Sequence, residues 1–137
     1  CWKPEDQPAV FGQQRESGGG FGGSTAFLLL AGLSGTTQWT CDRNEFFAGH
    51  GIVEVPETLA RRAGSGLDAC AAIGGEFVVG AGETASFTFV LGHADNADAA
   101  LELARRLRIA LPSARPTVVR CWISLWYSLQ PAIPEAG

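Results

Sequence analysis

The hydrophobic positions change period along the chain, and each period predicts an element. Residues 26–30 form a short, continuous apolar run of the length of a buried strand. Residues 36–41, Thr-Thr-Gln-Trp-Thr-Cys, are β-branched and aromatic, and Ser34-Gly35 before them marks a turn. These two runs predict neighbouring antiparallel strands. Residues 42–68 show no period and are broken by Gly49, Gly51, Pro56, Gly64 and Gly66. Strand-like pieces return at 70–73 and 76–79, divided by a Gly74-Gly75 turn signal. Residues 84–91 then alternate, which places Ala85, Phe87, Phe89 and Leu91 inside and Thr84, Ser86 and Thr88 outside. Ala81-Gly82-Glu83 before them predicts a hairpin turn.

After Gly92 the period lengthens. Ala97, Ala100, Leu101, Ala104 and Leu107 make the apolar stripe of a helix over 97–108. Asp95 or Asn96 can cap its start, and Arg105, Arg106 and Arg108 suit its negative end. Residues 118–129 are strongly apolar. Positions 122, 125, 126 and 129 form a helical stripe, so a helix is expected despite strand-favouring aromatic and β-branched content. If the chain stands alone, Trp122, Trp126 and Tyr127 leave an aromatic patch for a partner. Residues 1–24, with Pro4, Pro8 and clustered Gly18, Gly19, Gly20, Gly22 and Gly23, have the composition of a loop or linker.

Composition narrows the class. A chain of 137 residues predicts one domain, and 46% apolar with 18% charged residues argues against disorder. No apolar run approaches the roughly 20 residues that span a bilayer. The formal charge is −4 and no basic patch is present, which disfavours nucleic acid. The chain starts at Cys1, contains no Met and shows no signal-peptide pattern, so it is expected to be a piece of a longer protein. Cys1, Cys41, Cys70 and Cys121 form no CxxC pair and fit no zinc spacing. Two disulfides would be open to a secreted chain. With so much apolar content, reduced thiols in the cytoplasm are expected instead.

Candidate chemistry is sparse, and neither metal nor cofactor is expected. Residues 18–23 match G-x-G-x-x-G, but a polar stretch runs into the motif and a strand-like run leaves it, which favours a flexible loop over a phosphate site. His93 reads as a solvent-facing loop residue. His50, between Gly49 and Gly51, stands where the backbone can approach a ligand. Asp68 with Glu83, or Asp42 with Glu45, could be offered as a glycosidase-like carboxylate pair, although turn and surface roles are the simpler account. Trp39 fits either a sugar-facing ring or, preferably, the core.

A resemblance adds to these signals. Thr40-Cys41-Asp42-Arg43-Asn44-Glu45-Phe46 resembles the T-x-D-R-x-x-F of glycosyltransferase family 36, also classed as glycoside hydrolase family 94. That group holds cellobiose and chitobiose phosphorylases and cyclic β-1,2-glucan synthases. Residues 66–73 are similar to its G-x-x-D-P-C-A-A-L, Ala81-Gly82-Glu83-Thr84 to its P-G-E-T, and Phe89-Val90-Leu91-Gly92 to its F-L-L-G. Trp126 stands near the family's linker-helix Trp. The resemblance spans about residues 25–110. It departs where His50 replaces an Arg after Gly, one residue further from Phe46, and where Ala69 replaces Pro.

The resemblance implies a mainly β fold: an antiparallel, galactose-mutarotase-like supersandwich portion over 25–96, then a linker helix and apolar tail over 97–137. It also implies a chain without catalysis of its own, supporting sugar binding and dimerisation of a separate (α/α)6 catalytic barrel. Partners would be that barrel, an oligo- or disaccharide and a second copy. Asp42, Arg43 and His50 are the expected carbohydrate-binding residues. The alternative is a free-standing interaction module acting through its Trp-rich tail.

Overall fold

The computed structural model describes residues 1–15, 20, 22–32, 37–47, 51–110 and 118–125, with backbone alone at 110 and 118–125. Their order is β1 (Ala9–Gln13), β2 (Thr25–Ala31), β3 (Thr37–Asp42), a 3-10 turn (Arg43–Phe46), β4 (Ala69–Val78), β5 (Thr88–Ala94), α1 (Ala97–Ala110) and β6 (Val118–Leu125). The strands make two antiparallel sheets, ordered β1-β2-β5 and β3-β4-β6. This is a mainly β fold with one helix among the described residues.

β2 sets the layering because it is apolar on both faces. Strand alternation sends Phe27 and Leu29 one way, to meet Ala9 and Phe11 of β1 and Ala100 and Ala104 of α1. Leu28 and Leu30 point the other way, to meet Val10, Cys41 of β3 and Ile73 of β4. The first sheet is therefore a middle layer, with the helix on one side and the second sheet on the other. Ala100 and Ala104 are fully buried, and their small size lets the helix lie close to the sheet. Asn96 is the residue that caps it, its Oδ1 accepting the Ala99 N–H at 2.9 Å. Phe46, Leu59, Cys70 and Ala72 form a third cluster beside the second sheet.

Several expectations change. Residues 26–30 and 37–41 are strands, but in different sheets, and Gly32 after β2 takes a φ of 93° that glycine adopts readily. Gly74 and Gly75 lie inside β4, not in a turn, because β3 and β6 pair with β4 on either side. A turn does form at 80–83, where the Glu83 N–H donates to Gly80 O at 3.0 Å and Gly82 has φ 81°. It joins strands of different sheets, so it is no hairpin. Phe87 and Phe89 pack on the inter-sheet core as expected, but the strand begins only at Thr88, so residues 84–87, Phe87 among them, precede it. Leu91, expected beside them, is 58% exposed on the outer strand.

Residues 1–24 are more than a loop or linker. Ala9, Val10 and Phe11 are wholly buried, because β1 pairs along β2 and fills both core layers. Nor is the tail helical where it is described: Val118–Leu125 pairs with β4 residue for residue, so its strand-favouring content prevails over the helical stripe. Trp126 and Tyr127 lie outside the described residues. His93 is exposed within β5 instead of in a loop. Finally, Cys1 and Cys41 are joined in a disulfide, contrary to the expected reduced thiols, while Cys70 is a buried free thiol.

Candidate functional site

Asp42, Arg43, Glu45, Arg62 and Asp68 converge where β3 ends. Residues 59–62 run along the open edge of β3. The Leu59 N–H donates to Gln38 Oε1 (3.0 Å), the Arg61 N–H to Trp39 O (3.0 Å) and the Cys41 N–H to Arg62 O (2.9 Å). Asp42 Oδ1 accepts the Asn44 N–H at 3.1 Å and so caps the 3-10 turn, while Oδ2 accepts from Arg62 Nη1 at 2.8 Å. The Thr40 hydroxyl donates to Glu45 Oε1 and accepts the Asp42 N–H at 3.2 Å. Glu45 Oε2 accepts the Ala60 N–H at 2.8 Å, and Arg62 Nε stands 3.8 Å from Oε1.

Arg43 turns the other way and forks onto Asp68, Nε to Oδ2 at 2.9 Å and Nη2 to Oδ1 at 2.6 Å. The Arg43 N–H also donates to Asp68 O at 2.8 Å. Phe46 is buried with Leu59, Cys70 and Ala72. The arrangement clamps four pieces together: β3, the 3-10 turn, residues 59–62 and the entry to β4.

Electrostatics follow from this packing. Burial pushes the Asp42 carboxyl up, but the Asn44 and Arg62 hydrogen bonds outweigh it and hold the group below the ordinary carboxylate range. Hydrogen bonding to Asp68 raises the Arg43 guanidinium above its usual value. Burial, with the negative charge of Asp42 and Glu45 nearby, pushes the Cys70 thiol up to about 12.

Of the expected sugar-binding residues, Asp42 is 3% exposed and Arg43 lies at the surface. They are neighbours in sequence but grip different partners. His50 lies outside the described residues. Asp42 and Glu45 are brought together, through Arg62. Asp68 is the partner of Arg43. Trp39 packs against the inter-sheet core. The described glycines of 18–23 belong to the β1–β2 link, where Gly23 and Gln14 are hydrogen-bonded, and the motif runs on into β2, not into a helix. Sequence reasoning missed Arg62, which lies in a stretch without period. The Arg43–Asp68 pair had a signal: both belong to motif blocks, 25 residues apart. Among the described residues no three His, Cys, Asp or Glu side chains are placed to hold a metal.

The model of the glycosyl hydrolase 94 supersandwich domain matches residues 2–110. The chain belongs to this family. Comparison with curated proteins and with solved structures gave no match. The supersandwich is a non-catalytic β-sandwich part of glycosyl hydrolase 94 proteins. The match begins ahead of β1, so the stretch read as a linker contributes to the supersandwich itself. The four motif blocks of this supersandwich chain do structural work. The first two meet in the Arg43–Asp68 pair, the third makes the turn at 80–83, and the fourth places Gly92 beneath a core ring.

Proposed function

We propose that this supersandwich domain supports sugar binding by a separate (α/α)6 catalytic barrel and takes part in dimerisation, with no catalysis of its own. The observation that carries this reading is the clamp, which fixes both ends of residues 47–58 on a rigid sandwich. Loops held this way are where scaffolds carry binding groups. Arg43 keeps one edge of its partly exposed guanidinium on Asp68, which leaves the Nη1 hydrogens and the outer Nη2 hydrogen as donors for sugar hydroxyls. Asp42 shapes the turn beneath it, and His50 follows a few residues on in sequence. Ile52, Val53 and Val55 are 67%, 58% and 49% exposed, an apolar surface suited to the barrel or a second copy.

The test is phosphorolysis of several β-linked disaccharides by the chain alone and by the chain joined to its barrel. The expected result is turnover only in the joined protein, with Arg43→Ala and His50→Ala each raising KM about tenfold, the weight of one lost charged hydrogen bond. Turnover by the chain alone, or unchanged KM and kcat in both variants, overturns the proposal.

A further inference from the structure

Residues 1–8 form an arm beside β1 that is tied to both sheets, to Gly64 and to α1. Trp2 and Phe11 exchange main-chain hydrogen bonds of 2.9 and 2.8 Å, and their rings stack with centroids 5.6 Å apart. Cys1 is bonded to Cys41 in the opposite sheet, and its carbonyl accepts the Gly64 N–H at 3.1 Å. From α1, Arg105 reaches the Asp6 carboxylate at 3.6 Å and Arg108 donates to Asp6 O.

These ties differ greatly in strength. The Arg105 and Asp6 side chains are both more than half exposed, and such pairs contribute little. Within the arm, Gln7 is 2% exposed with neither its amide nitrogen nor its oxygen hydrogen-bonded. That desolvated amide opposes docking. Against it stand the main-chain bonds of Trp2 and Cys1 and the disulfide, the one tie that a reductant cuts.

We propose that the Cys1–Cys41 disulfide is a thiol-operated lock on this arm. Cys1 is half-buried and Cys41 sealed at 1% exposure, so a dithiol reductant reaches Cys1 Sγ first. One reductant thiolate attacks Cys1 Sγ, the protein S–S bond breaks, and Cys41 leaves as a thiolate that takes up a proton. The second reductant thiol then displaces Cys1 as a thiol, and the reductant departs as its own disulfide. Cys70 does not compete, because its thiol stays protonated at neutral pH. Opening frees the Phe11 N–H and C=O and one face of its ring, which leaves β1 an unpaired edge. The lock is closed in an oxidising compartment and open in a reducing one such as the cytoplasm.

Amide hydrogen exchange on the whole chain, with and without dithiothreitol, tests this. Peptide mapping of air-purified protein is expected to recover Cys1 linked to Cys41. On reduction, exchange at Phe11 and Gly64 should accelerate at least about tenfold more than in the middle of β4, the mark of a local opening. Cys1→Ser and Cys41→Ala, each shown to fold by circular dichroism, should reproduce that pattern without reductant. Unlinked Cys1, equal acceleration throughout, no acceleration at Phe11, or a folded Cys1→Ser protein with Phe11 still protected overturns the proposal.

Discussion

Asp42 divides its carboxylate between a main-chain N–H and a guanidinium, and both favour the ionised form. Its folded pKa lies below its unfolded one, so the stability it contributes is fully present above about pH 4 and is lost as pH falls through the folded value. Asp42→Asn should cost about 1–3 kcal/mol at neutral pH, since it breaks a charge-assisted bond to a nearly sealed oxygen. Urea unfolding of both proteins between pH 7 and pH 3 checks it: the gap should narrow below pH 4. At this scale the sequence was half legible. Thr40, Asp42, Arg43 and Phe46 stand out as one block, but nothing local says that Asp42 faces Arg62 while Arg43 faces Asp68. Those pairings need the fold, because they join residues 20 and 25 apart.

At the scale of elements, β5 holds its place beside β2 through a large and a small residue. Gly92 lies opposite Phe27, and a Cβ at 92 would stand 2.2 Å from the ring's Cζ. Phe27 is 1% exposed in a packed layer and has nowhere to move. Gly92→Ala should therefore destabilise by about 1–3 kcal/mol, and Phe27→Leu in the same chain should recover part of that loss. A denaturant-unfolding double-mutant cycle measures the coupling. The elements most legible in the sequence were those with long, regular patterns: α1 from its Ala and Leu stripe, β2 from its apolar run. β1 was hidden because three apolar residues among prolines and amides carry no period. Gly74 and Gly75 misled because glycine marks turns in general, yet within β4 both are buried between paired neighbours.

For the molecule as a whole, β2 belongs to two cores at once, so the helix layer and the inter-sheet layer share one wall. Neither can be lost without baring the other. Thermal unfolding is expected to be a single transition, with helix-sensitive and aromatic-sensitive signals coinciding; two separated midpoints would show the layers to be independent. The seating of Phe46 and Leu59 in one cluster, with the Glu54 N–H donating to Phe46 O at 2.8 Å, has a consequence for variation. Both ends of the intervening loop are anchored by buried side chains, and the Glu54 tie is a main-chain bond that any residue but proline can make. Residues 51–58 can therefore change in length and character over generations while the sheets keep their register, since lengthening an anchored loop costs little. A scaffold of this kind can meet new sugars or new partners by rewriting one short stretch and leaving the rest of its sequence alone.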